Sequence, residues 1–150
     1  MLLPAFTAIA VSCNNSPLEE AFDGYTLVHQ NGPDLGYSPN SGVSIIIDKD
    51  KAFKDLNKNG VVDPYEDWRL SPQERAKDLA GKMQLHEIAG LMLYSNHQAI
   101  KSAELTDTQK KFMHDDCLRH ILITTVESPE IAARWNNNAQ AFAESLGLGI

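Results

Sequence analysis

A twelve-residue stretch in the first half of the chain carries oxygen-bearing side chains at alternating positions. DLNKNGVVDPYE runs from Asp55 to Glu66 and has Gly60 at its sixth position. In a twelve-residue calcium loop, the ion is held from positions 1, 3, 5, 7, 9 and 12, and position 7 uses its backbone carbonyl. The residues at these positions are Asp55, Asn57, Asn59, Val61, Asp63 and Glu66. The spacing therefore predicts an EF-hand-like calcium loop.

The donor types in this loop suit calcium, a hard cation that binds six to eight oxygen atoms in flexible geometry. Gly60 can adopt the left-handed conformation that the sharp turn needs. The three carboxylates would give an empty loop a charge of about −3, which is repulsive without an ion. The strand-like IIIDKDKAFK precedes the loop where a true EF-hand has a helix, and no second loop pairs with it. We therefore expect a structural site with a Kd on the order of 10⁻⁴ to 10⁻³ M.

A capped turn is the alternative interpretation of the same residues. Asn59-Gly60 is a common turn sequence, and Asp63, Pro64 and Glu66 match the N-cap, N1 and N3 positions of a helix start. This accounts for the second half of the loop without metal, but not for the oxygen-bearing side chains at alternate positions before the turn. Because a calcium loop also opens a helix at position nine, the two interpretations are compatible.

The elements that must position the loop are strands and capped helices. VSIIIDKD, at 43–50, is β-branched and predicts a strand, whereas the Asn-, Gly- and Pro-rich residues 14–42 predict an irregular arm. Helix starts are marked at Ser71, Thr106 and Ser128 by capping residues followed by Pro, Glu or Gln. The last helix has an apolar stripe at Ile131, Trp135, Ala139, Phe142 and Leu146.

Two apolar runs lie between the helices, LMLY at 91–94 and ILITT at 121–125, and both are typical of buried strands. Strands that alternate with amphipathic helices predict parallel pairing through helical crossovers. Two such strands do not make a stable sheet, so we expect an α/β fold of which this chain is only a part.

The N-terminal residues indicate where the protein is located, and the net charge indicates which partners it can bind. MLLPAFTAIAVSC resembles a bacterial lipoprotein signal ending at Cys13, which predicts lipidation there and export to the periplasm or outer membrane. It lacks a positive n-region, and the alternative of a buried N-terminal helix is disfavoured by Pro4. The net charge is −7 and basic residues are scattered, so nucleic acid is not an expected partner. Membrane attachment is expected through the lipid alone.

A family resemblance rests on three stretches, which cover about residues 50–150. They are FKDLNKNGVVDPYEDWRLSPQERAKDLAGKMQLHEIAGLMLYS, LTDTQKKFMHDDCLRHILI and WNNNAQAFAESLGLGI. Together they resemble the opening of the barrel domain in glycoside hydrolase family 3 enzymes of the Bacteroides type. The resemblance implies a retaining exo-β-glycosidase, of the β-glucosidase or β-xylosidase kind, acting on β-linked glycosides or oligosaccharides.

Such enzymes use two carboxylates roughly 5 Å apart, one a nucleophile and the other an acid/base. In the family both come from later parts of the protein, so no catalytic residue is assigned within residues 1–150. Acidic pairs such as Asp115-Asp116 are neighbours in sequence and do not face each other on a helix.

The resulting prediction is an N-terminal fragment of a (β/α)₈ barrel that is inactive alone, because a complete barrel needs ~250 residues. Its parts are a lipoprotein-type signal (1–13), an irregular arm (14–42), a strand with the calcium loop (43–70) and the first β/α units (71–150). One alternative is a small exported calcium-binding lipoprotein module for attachment or protein contact. Another is a different barrel enzyme that shares only this opening segment.

Overall fold

The computed structural model of the protein describes residues 16–150, so the predicted signal and Cys13 lie outside the described residues. The strands are β1 (Leu18–Ala21), β2 (Thr26–His29), β3 (Leu35–Tyr37), β4 (Ser44–Asp48), β5 (Lys51–Asp55), β6 (Gln98–Ile100) and β7 (Ile123–Val126). The α-helices are α1 (Pro72–Lys82), α2 (Leu85–Leu91), α3 (Asp107–His114) and α4 (Pro129–Ser145). A short 3₁₀ helix covers Pro39–Ser41. None of these helices combines the length and apolar character that crossing a bilayer requires.

The segment expected to be irregular contains a three-stranded antiparallel sheet in the order β1-β2-β3. In the central strand, Thr26 and Val28 are buried while their neighbours are only half-buried. This period-two burial is what a strand covered on one face produces. The prediction of an irregular arm is wrong for these strands, because the three apolar or β-branched residues of β2, Thr26 to Val28, suffice for a strand between turns that contain Gly and Pro.

β4 and β5 form an antiparallel hairpin that leads directly into the candidate calcium loop. Ser44 pairs with Asp55, and the two-residue turn at Lys49 and Asp50 has positive φ angles of 49° and 63°. The predicted strand at 43–50 is confirmed over β4. β5 contributes Ala52 and Phe53, both fully buried, so the strand that enters the loop is anchored by its side chains.

The three predicted helix starts are confirmed with their caps. Ser71 Oγ accepts the N–H of Glu74, and the Glu74 carboxylate accepts the N–H of Ser71. Thr106 caps α3 in the same reciprocal way, and Ser128 Oγ caps α4. α2 follows α1 after a break at Met83 and Gln84, so the first helical run is two helices.

β6 and β7 pair in parallel across α3, as the alternation of strands and helices predicted. The position of the first strand was predicted wrongly. Leu91 ends α2, and Met92 and Tyr94 are exposed, by 77% and 75%. α2 starts where the Glu87 carboxylate accepts the N–H of Gln84, and the helix takes up the beginning of the apolar run. The strand follows at Gln98–Ile100.

The main apolar cluster lies between α4, α3 and β6. Its buried members are Ile100, Leu105, Met113, Trp135, Ala139 and Ala143. Trp135 is 3% exposed, which confirms its prediction as a core residue. The described residues thus form a mixed α/β structure with three small sheets, none of them closed into a barrel.

Candidate metal centre in the Asp55–Glu66 loop

The loop begins at the last residue of β5 and ends in a single turn. Its first and last carboxylates are almost completely buried, with Asp55 3% and Glu66 5% exposed. Two residues have left-handed backbone, Lys58 with φ 61° and Gly60 with φ 78°. The conformation predicted for Gly60 is therefore present, and it lets the chain reverse between the two buried carboxylates.

The Glu66 carboxylate joins the two ends of the loop. Its Oε1 accepts the backbone N–H of Leu56 at 2.7 Å and of Asn57 at 3.2 Å, and its Oε2 accepts that of Asp63 at 2.9 Å. Hydrogen bonds to a charged acceptor are the stronger kind, worth about 1.5–3 kcal/mol each. Position twelve therefore organises the loop through its backbone.

The Asp55 carboxylate holds the tip of the loop. Oδ1 accepts the N–H of Asn59 at 3.0 Å, and Oδ2 accepts the N–H of Gly60 at 3.0 Å. The Ser44 hydroxyl, from the paired strand β4, also donates to Oδ2 at 3.3 Å. Asp55 thus ties the backbone four and five residues further along the chain to the end of β5.

Positions three, five and nine of the loop converge. The amide groups of Asn57 and Asn59 donate to Asp63 Oδ2 at 2.6 Å and 2.7 Å. Lys82 of α1 donates to Asp63 Oδ1 at 3.0 Å. Burial alone would raise the pKa of Asp63, but the hydrogen bonds from Lys82, Asn57 and Asn59 outweigh it and hold that pKa below its usual value. Asp63 is therefore a carboxylate at neutral pH.

Tyr65 reports the negative field of the loop. Burial raises its pKa, and the carboxylates of Glu66, Asp63 and Asp55 raise it further. The phenol remains protonated and donates to the carbonyl of Leu148 at 3.0 Å. The three loop carboxylates thus act on one small region, where the described ion pair to the loop is that of Lys82 with Asp63.

Both interpretations of the loop have observations in the structure. The hydrogen bonds from Glu66 and Asp67 N–H to the Asp63 carbonyl, with the return bond to Glu66, form the predicted capped turn. It does not continue into a helix, because α1 begins only at Pro72. Within residues 16–150, no group of three His, Cys, Asp or Glu side chains is gathered closely enough to hold a metal by itself.

The donor set nevertheless fits a hard cation. Asn57, Asn59 and Asp63 meet at one carboxylate oxygen, and an Asn amide turned over presents oxygen in place of nitrogen. Asp55 Oδ1 and Glu66 Oε2 each accept a single N–H group and keep one lone pair. Val61, the predicted carbonyl ligand, has an exposed side chain and lies at the open side of the loop.

Trp68 and Arg69 fix the exit of the loop. The Trp68 indole N–H donates to the Ala52 carbonyl at 2.9 Å, and its ring stacks on Phe53 at 5.5 Å. Arg69 also lies over the Phe53 ring, 4.6 Å from its centroid, and pairs with Asp67. Trp68 therefore packs against the strand that enters the loop.

The histidines are not brought together, but His29 lies between two carboxylates. Its Nε2 is 3.1 Å from Glu20 Oε2 on β1, and its Nδ1 is 3.1 Å from Asp34 Oδ2. These hydrogen bonds, that to Glu20 first, raise the pKa of His29 above its usual value. The imidazolium form links neighbouring parts of the N-terminal sheet.

The chain is similar in sequence to a known protein that is named as a glycosidase. No protein-family profile matches it. It is 38% identical over 116 residues to a periplasmic beta-glucosidase/beta-xylosidase of Dickeya chrysanthemi, and the match covers 73% of this chain. The chain spans 18% of the length of that relative. The protein is therefore related, over most of its own length, to a part of a protein named as a glycosidase.

Proposed function

We propose that this chain is the opening part of an exported β-glycosidase of the retaining, exo-acting kind, similar to glycoside hydrolase family 3. The observation that carries the proposal is the 38% identity over 116 residues to a periplasmic beta-glucosidase/beta-xylosidase. The substrate would be a β-linked glycoside or oligosaccharide. Export is supported by the relative, which is named as a periplasmic protein. A lipid on Cys13 would attach the protein to a membrane.

The exposed surface around the parallel strands supports the barrel part of the proposal. All four residues of β7 are exposed, and Leu93, Tyr94 and Leu122 add an apolar surface beside it, with exposures of 53%, 75% and 43%. Parallel strands are normally buried on both faces by helices and neighbouring strands. We infer that further β/α units of a (β/α)₈ barrel cover β6 and β7.

The described acidic residues do not supply a catalytic pair. Asp115 and Asp116 are exposed, and Asp115 contacts His114 at the end of α3. Asp55, Asp63 and Glu66 are engaged in the loop. We therefore place the nucleophile and the acid/base in the part of the relative that this chain does not span.

A chimera tests the glycosidase proposal. The 116 matching residues of the relative are replaced by those of this chain, and hydrolysis of p-nitrophenyl β-glucoside and β-xyloside is measured. We expect the chimera to keep activity, with the β-anomer as first product by NMR, and Asp115→Asn with Asp116→Asn to leave it unchanged. The 150-residue chain alone should be inactive. A folded but inactive chimera, or an active isolated chain, would contradict the proposal.

We further propose that the Asp55–Glu66 loop binds calcium as a structural ion. The support is the ligand spacing, the convergence of positions three, five and nine, and the burial of Asp55 and Glu66. The ion would be held by Asp55, Asn57, Asn59, Asp63, Glu66 and the Val61 carbonyl. It would neutralise the loop carboxylates and fix the hairpin of β4 and β5 relative to α1.

Thermal unfolding with added calcium tests the ion. At 10 mM calcium and a Kd of about 1 mM, a ligand of the folded state adds about 1.4 kcal/mol of stability. We expect this gain with calcium and not with magnesium, which demands near-octahedral geometry. Asn59→Ala should lose the gain, whereas Asn40→Ala, an exposed asparagine outside the loop, should keep it. If calcium stabilised the unchanged chain, Asn59→Ala and Asn40→Ala equally, or stabilised none of them, the capped turn alone would explain the loop.

A further inference from the structure

A cleft of about 360 Å³ lies between the N-terminal sheet and α4. We call it the arm cleft. Tyr25, Leu27 and Tyr37 line it from the sheet, and Asn136, Asn137 and Gln140 line it from the helix. Its volume falls at the small end of the range of about 300–1,000 Å³ in which ligand sites occur. The arm cleft can therefore take a small molecule of one or two rings.

A buried carboxylate with a free oxygen belongs to this cleft. Glu144, which also lines it, is 1% exposed. Its Oε1 is held by Lys54 at 2.5 Å and by Gln140 at 3.1 Å. Its Oε2 has no hydrogen-bond partner among the described residues. A buried acceptor without a donor is energetically costly, so Glu144 gives the wall of the cleft an acceptor that a ligand hydroxyl, directly or through one water, would satisfy.

The helix side of the cleft offers further hydrogen-bonding groups. Asn136 and Asn137 are exposed, and no side-chain hydrogen bond of either is found within residues 16–150. Each amide has two donors and an acceptor. Because Lys54 pairs with Glu144, the buried carboxylate brings no net charge to the site. The polar groups therefore favour a neutral ligand with several hydroxyls over a cation or an anion.

The sheet side of the cleft is aromatic and apolar. Tyr25 is held in place by stacking on Phe22, with ring centroids 5.0 Å apart. Leu27 and the neighbouring Tyr37 complete this wall. Aromatic rings present an apolar face with a polar edge, which suits a molecule that has C–H faces and a hydroxyl rim.

We propose that the arm cleft binds a single neutral sugar ring, with its face against the tyrosines and its hydroxyls toward Asn136, Asn137 and Glu144. Binding there does not require the glycosidase proposal to hold. Two polar amides, an acceptor without a donor and an aromatic wall in one cleft are the observations that carry it.

Ligand titration of the 150-residue chain followed by ¹H–¹⁵N NMR tests the site, with D-glucose, D-xylose and glycerol as the probes. We expect saturable shifts at α4 and at Tyr25 and Tyr37 with the sugars, in the millimolar range, and at least ten-fold weaker effects with glycerol. Asn137→Ala should weaken sugar binding five-fold or more, while Asn40→Ala, an exposed asparagine outside the cleft, should not.

Glu144→Gln keeps the shape of the side chain and tests the acceptor, and the shifts of α4 show whether the variant is folded. Glu144→Gln should also weaken the binding of both sugars. Absence of saturable shifts up to about 100 mM sugar, a concentration at which a millimolar site would be nearly saturated, would overturn the proposal. So would equal binding of glycerol and the sugars, or equal loss in Asn137→Ala and Asn40→Ala.

Discussion

Glu66→Ala is the substitution that most directly tests how the loop is held together. The side chain is 5% exposed, and its two oxygens accept three backbone N–H groups, from Leu56, Asn57 and Asp63. Truncation leaves all three donors without their acceptor. At about 1–3 kcal/mol for each orphaned group, the full penalty would be about 3–9 kcal/mol.

The expected loss is at the low end of this range, about 3–5 kcal/mol, because water can reach the open side of the loop and satisfy part of the donors. Small domains have total stabilities of about 5–15 kcal/mol, so the variant should be marginally folded. Glu66→Gln, which keeps one acceptor oxygen, should lose about half as much.

The assay is urea unfolding in calcium-free buffer, followed by far-UV circular dichroism and by the fluorescence of the two tryptophans, Trp68 and Trp135. Glu104→Ala is the matched control, because this exposed glutamate lies outside the loop, and we expect a change within about 0.5 kcal/mol. A loss below about 1 kcal/mol for Glu66→Ala would show that the carboxylate does not organise the loop.

Three further perturbations have defined outcomes. Gly90→Ala should destabilise the protein by about 1–3 kcal/mol in urea unfolding, because the added Cβ would lie 2.5 Å from backbone carbonyl oxygens. Gly81→Ala, whose Cβ would meet no atom within 4 Å, should stabilise it by about 0.5–1 kcal/mol. A change of the same sign in both variants would contradict the packing around Gly90. His29 has a raised pKa, so its contribution to stability is fully present below pH ~6.5 and is lost as pH rises through the pKa of the folded state. NMR titration should give a pKa above that of a free histidine. His29→Gln should remove this pH dependence of the unfolding free energy. Asp63 has a lowered pKa, so its contribution is present above pH ~3.9 and is lost as pH falls through the folded value. Lys82→Met should therefore cost up to about 1 kcal/mol at pH 7 and nothing at pH 2, and an equal cost at both values would remove the ion pair as the cause.

Local signals predicted the helices well and the strands less well. Caps are local chemistry, so Ser71, Thr106 and Ser128 could be read directly as helix starts. Strands depend on partners that are distant in sequence. LMLY has an apolar composition typical of a strand, but its first residue completes α2, and Tyr94 has only an isolated bridge to His120.

The loop was predictable in its residues but not in its contacts. The turn at Gly60 followed from its residue type, whereas the role of Asp55 and Glu66 as calcium ligands stays a prediction. That Glu66 accepts N–H groups from the beginning of the loop follows from the curvature of the backbone, which spacing does not specify. The arm cleft also escaped prediction, because it joins Tyr25 to Gln140 across more than a hundred residues.

The contacts between the loop region and the end of α4 have a consequence for biosynthesis. Lys58 donates to the carbonyl of Glu144 at 2.9 Å, and Tyr65 donates to that of Leu148. Both acceptors are translated more than eighty residues after their donors. Contacts between distant segments form late, since both partners must first leave the ribosome. In the nascent chain, the Asp55–Glu66 loop therefore lacks these two contacts until the residues around the end of α4 have emerged. During that interval we expect the loop to be accessible to proteases and chaperones.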